Sequence, residues 1–70
     1  MYQRYCVELY NSRGNMEFAC GLINIEDVLT QFAKDPARKA MVFDLETGSF
    51  RQPIAIFEKL PNKRKWTRTL

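Results

Sequence analysis

The sequence predicts a small single-domain α+β fold, an antiparallel sheet of four or five strands with one helix packed on one face. Three observations predict it. Apolar and polar residues alternate with period two in several short segments, one stretch after residue 24 repeats at helical spacing instead, and a chain of 70 residues leaves room for one core.

Tyr5, Val7 and Leu9 alternate with Arg4, Cys6 and Glu8, which reads as a half-buried strand over about residues 2 to 10. NSRGN breaks the pattern, and Met16, Phe18, Cys20 and Leu22 resume it, so the first 23 residues read as an antiparallel hairpin turning at Arg13 and Gly14. If both apolar sets share the buried face, a one-residue slip is forbidden because it would turn a strand over. Setting Glu8 against Glu17 would oppose like charges; the expected register instead sets Leu9 opposite Phe18 and Val7 opposite Cys20. Cys6 then falls opposite Gly21, facing away from Cys20, and both cysteines are expected as reduced thiols.

Asn24, followed by Ile25, Glu26 and Asp27, predicts a helix start, with an amide to cap free N–H groups and acids where the helix dipole favours them. Ile25, Val28, Leu29, Phe32 and Ala33 form one apolar stripe on a helix of about ten residues. Asp35-Pro36 ends it, leaving a short extra turn through Ala37 to Lys39. AMVFDLE predicts the next strand, with Met41, Phe43 and Leu45 on its buried side. ETGS supplies a turn, and FRQPIAIFEKL predicts a further strand with a bulge or edge at Pro53, which has no N–H for a ladder. After a turn at Pro61 to Arg64, KWTRTL reads either as a final edge strand or as a free basic tail, so residues 61–70 of the single domain 1–70 carry two readings. The order is β-β-α-β-β with an extra C-terminal strand. That order recurs among small bacterial, plasmid and phage proteins of unrelated activity, and assigns no function by itself.

The chemistry expected of an enzyme is missing. The sequence has no histidine, the commonest general base and metal ligand, and Cys6 and Cys20 lack the spacing of a zinc site. Gly14, Gly21 and Gly48 form no phosphate-binding loop. Glu26 and Asp27 read as first-turn partners of the helix dipole, and Asp44 and Glu46 as a solvated strand face. The expectation is a non-enzymatic chain with no cofactor, no metal and no small-molecule substrate. No run approaches the roughly 20 apolar residues of a membrane span, and MYQRYCVELYN lacks the apolar centre of a secretion signal, so a cytoplasmic protein is expected.

Two features carry the expected function. One helix leaves a sheet face open, and Tyr2, Arg4 and Tyr10, grouped there with Cys6, Glu8, Ala40 and Val42, are residue types that anchor protein interfaces. The first reading is therefore a protein-binding module, an inhibitor, adaptor or accessory regulator, with a homodimer as another use of that face. The net charge of +3 divides into −2 over residues 1–58 and +5 over residues 59–70. Lys63, Arg64, Lys65, Trp66 and Arg68 accordingly define the alternative, a nucleic-acid-binding regulator that contacts phosphates through its C-terminal segment.

Overall fold

A computed structural model describes residues 4–46, 52–60 and 63–70. Strands β1 (Tyr5–Tyr10), β2 (Met16–Leu22), β3 (Lys39–Asp44), β4 (Ala55–Lys59) and β5 (Trp66–Arg68) form one antiparallel sheet in the order β2-β1-β3-β4-β5, with a short helix α1 (Asp27–Gln31) between β2 and β3. KWTRTL thus contributes an edge strand, paired to β4 through Phe57 with Arg68 and Lys59 with Trp66. The ETGS turn beyond Glu46, the start of FRQPIAIFEKL, and Pro61-Asn62 lie outside the described residues, as does Tyr2.

The β1–β2 turn follows its residues. Asn11 Oδ1 accepts the N–H groups of Arg13 and Asn15 at 2.9 and 3.0 Å, and Gly14 takes a positive φ of 83°, which L side chains adopt only with strain. Helix α1 is shorter than its apolar stripe predicts, at five residues. Asn24 does not cap it; the Asp27 carboxylate instead accepts the N–H groups of Ile23 and Asn24 at 3.1 and 3.0 Å. A helix this far below the roughly 12–15 residues needed for stability in water is held by tertiary contact. Val28 is fully buried in the core, and Trp66 Nε1 donates to the Phe32 carbonyl at the helix end at 2.9 Å.

The core lies on the helix side of the sheet. Val7 and Leu9, Leu22, Ala40 and Val42, Ala55 and Phe57, and Trp66 meet Val28 and Ala37 there, with Ile25 and Phe32 partly buried against them. Burial of side chains as large as Phe57 and Leu22 contributes roughly 1.5–3 kcal/mol each.

Three expectations are corrected. Cys6 pairs with Cys20, Val7 with Ala19, Glu8 with Phe18 and Leu9 with Glu17, one residue out of the expected register. The cause is a bulge: the ladder shifts between Tyr5 and Cys6, and Gly21, at φ 107°, re-aims the chain so that Leu22 still reaches the core. Met16 and Phe18 therefore leave the core and lie on the opposite face. As a second consequence, Cys6 and Cys20 are neighbours with Cα atoms 4.2 Å apart and form a disulfide, so they are not the reduced thiols expected. Strand β3 is also turned over. Val42 opposes Val7 and Ala40 opposes Leu9, which puts these small residues in the core and Met41 and Phe43 on the other face.

Candidate functional site

Strand pairing aligns the side chains of the face opposite the helix in rows. One row runs Met16, Tyr10, Lys39, Glu58 and Thr67, the next Phe18, Glu8, Met41 and Ile56, and a third joins Cys20, Cys6 and Phe43. The third row is closed at its centre, where Cys6 and Phe43 are buried. The other end is open: Phe18 is 52% exposed and Met16 48%, side by side on edge strand β2. Their exposure follows from the bulge, because the alternation that would bury them is displaced by one residue.

The residues expected to bind a protein are placed differently from one another. Tyr10 is half-buried beside Met16, and its hydroxyl donates to Glu8 Oε1 at 2.7 Å. That bond, with burial and the Glu8 charge adding to it, raises the Tyr10 pKa above the ordinary phenol value. Arg4 is committed within the chain: Nε and Nη2 donate to the two oxygens of the buried Asp44 carboxylate at 2.9 and 2.7 Å, and Glu46 lies 3.2 Å away. The hydrogen bonds to Asp44 raise the Arg4 pKa, and the nearby Asp44 and Glu46 charges add to this against a contribution from burial that lowers it. Arg4 is therefore a clamp between the start of β1 and the end of β3.

The C-terminal cations divide in the same way. Lys63, Arg64 and Lys65 are exposed, whereas Trp66 is only 8% exposed and spends its N–H on Phe32. No broad ring face of Trp66 is left for a base to stack on. Arg68 bonds the Leu70 carbonyl at 2.8 Å and lies over the Phe57 ring.

Sequence reasoning missed a second group of cations that folding brings to Arg64. A hollow of about 570 Å³ is lined by Ala33, Lys34, Asp35, Pro36, Arg38, Lys59 and Arg64. Lys59, 8% exposed, donates from Nζ to the Asp35 carbonyl and lies 4.5 Å from the centre of the Trp66 ring. Burial lowers its pKa below the ordinary lysine value; Asp35 opposes the shift and Arg38 adds to it. Arg38 donates to the carbonyls of Leu60 and Lys63 at 3.1 and 3.3 Å, tying the helix exit to the β4–β5 connection. The available signal was weak: a Lys-Asp-Pro-Ala-Arg turn does not reveal which later cations it will meet.

Among the described residues, no three metal-ligating side chains converge, and no helix is long and apolar enough to cross a membrane. No protein-family model, curated protein or solved structure matches this chain.

Proposed function

We propose that this chain is a non-enzymatic binding module that captures a partner protein on the sheet face opposite the helix, as an inhibitor, adaptor or accessory regulator of a larger protein. The observation that carries this reading is the exposed pair Phe18 and Met16 beside Tyr10. Aromatic residues and methionine are enriched at the centres of protein interfaces, and a Phe side chain gains most when a partner removes it from water. Strand β2 adds a second means of contact, because it is a sheet edge with a row of main-chain groups facing outward. Tyr10 flanks the pair, while Arg4 supports the far end of the face through its clamp on Asp44.

The test is nuclease-resistant capture of a partner from lysate by the immobilised chain and by a Phe18→Ser/Met16→Ser variant. Both side chains are exposed, so the variant is expected to melt within about 0.5 kcal/mol of the parent. Affinity for the captured protein should fall by about thirtyfold or more if these are the central contacts. Equal capture by the two proteins rejects this face. Arg4→Glu is a poor probe, because it would set a third carboxylate beside Asp44 and Glu46 and unfasten the strand ends.

A further inference from the structure

Four cationic side chains, Lys34, Arg38, Lys59 and Arg64, line the hollow between the helix exit and the β4–β5 connection. One acidic side chain, Asp35, shares it, and its Oδ1 is occupied by the N–H of Ala37 at 2.9 Å. Among the described residues, no carboxylate makes an ion pair with any of the four. Surface cations commonly stand apart in water, but these converge in a concavity within the size range of small-ligand sites. The single Asp35 carboxylate offsets their mutual repulsion only in part, one negative charge against four positive, and an anion seated among them would relieve the rest.

The donors are also held in place. Arg38 uses two of its five N–H donors on the carbonyls of Leu60 and Lys63, which fixes the guanidinium and leaves the other three. Lys59 is held by the Asp35 carbonyl and the Trp66 ring, and its ammonium keeps further N–H donors. Ala33 and Pro36 supply an apolar rim, and a second hollow with Leu29, Lys65 and Trp66 adjoins through Ala33 and Arg64. Fixed, charged donors around a pocket wall are the arrangement that recognises a tetrahedral oxyanion with several acceptor oxygens.

We propose that this hollow is a phosphate-binding site, in which Arg38 and Lys59 form the fixed floor and Lys34 and Arg64 close over a phosphoryl group. The phosphoryl group belongs either to a free phosphorylated ligand or to the backbone or end of a nucleic-acid strand. The site uses none of the residues of the protein-binding face and stands independently of that reading.

The probes are inorganic pyrophosphate and a short single-stranded oligonucleotide, each titrated into the intact disulfide-bonded chain at constant ionic strength while amide resonances are followed by NMR. Saturable shifts from pyrophosphate confined to residues 33–38, 59–60 and 63–66 are expected. Lys34→Glu and Arg64→Glu, whose side chains make no hydrogen bond or ion pair among the described residues, should each weaken binding about tenfold or more. Arg13→Glu changes the net charge equally at an exposed position of the hairpin turn that does not line the hollow, and should leave affinity within about threefold, because solvent and salt screen a charge that does not touch the ligand. Competition between oligonucleotide and pyrophosphate identifies a strand as the source of the phosphate; pyrophosphate binding without oligonucleotide binding identifies a free ligand. The site is overturned if pyrophosphate produces no saturable shift, or if Arg13→Glu weakens it as much as Lys34→Glu does.

Discussion

Lys59 occupies a position that strand alternation reserves for the core: Ala55 and Phe57 precede it on the same side of β4, and it pairs with the buried Trp66. An ammonium there is tolerable because its apolar stem covers core surface while Nζ finds the Asp35 carbonyl and the Trp66 ring. Its lowered pKa has a definite consequence for stability. The unfolded chain keeps its lysine proton up to the ordinary value, near 10.4, whereas the folded chain releases it earlier, so between those points the unfolded state binds more protons and stability rises with pH. Below the folded pKa the cost of the buried charge is full and constant. Lys59→Met removes this titration. Urea unfolding followed from neutral pH into the alkaline range should show wild type gaining stability relative to the variant as pH rises toward about 10.4. A constant difference between the two across that range would show that the Lys59 ammonium has no energetic cost in the fold. Asp35 and Arg38 are present in both proteins, as is Tyr10, whose raised pKa acts on the same range in each.

Among the elements, β2 depends most on a bond that sequence reasoning rejected. It is an edge strand paired only with β1, much of its length is exposed, and the Cys6–Cys20 disulfide fastens it at one end while the Asn11 turn fastens the other. Closing a loop of about 15 residues is worth roughly 3 kcal/mol in the chain-entropy account. Reduction should therefore lower the melting temperature by on the order of 10 °C, whereas a Cys6→Ala/Cys20→Ala variant should melt near the reduced protein and ignore reductant. Equal melting with and without reductant in the wild type would dismiss the disulfide as a stabilising element. What was legible here, and what was not, has a physical reason. Period-two alternation located β1, β2 and β5, because alternation depends only on local pleating, but it could not give register through a bulge. The bulge itself left a trace, an isolated glycine at position 21 within a strand pattern, and that trace outweighs the parity argument built on Phe18 and Leu22. In β3 both faces are apolar, so nothing local distinguishes Ala40 and Val42 from Met41 and Phe43; pairing with β1 decides it. The final strand was legible as one of two readings, and Trp66 resolved them by packing on the end of α1.

At the scale of the molecule, the sheet separates two surfaces of different physics. Phe18 and Met16 lie on the face opposite the core, where the neighbouring charges Glu8, Lys39 and Glu58 are of mixed sign. Lys59 and Trp66 point to the helix side, where Lys34, Arg38 and Arg64 make the hollow cationic. The net charge of +5 in residues 59–70 is therefore not a loose arm's property: folding adds Lys34 and Arg38 to it and removes Trp66 into the core. Contacts of the first kind rest on burial of apolar area and respond little to salt, whereas phosphate contacts weaken steeply as salt screens them. Sites on opposite sides of a sheet with no shared side chain should also behave additively. Phe18→Ser/Met16→Ser is accordingly expected to leave the pyrophosphate titration unchanged, and Lys34→Glu/Arg64→Glu to leave partner capture unchanged. Raising salt should weaken pyrophosphate binding much more than partner capture. If the cationic double variant abolishes capture, or if high salt elutes the partner as readily as it displaces pyrophosphate, the partner is held by the hollow, and Phe18 and Met16 are not its anchor.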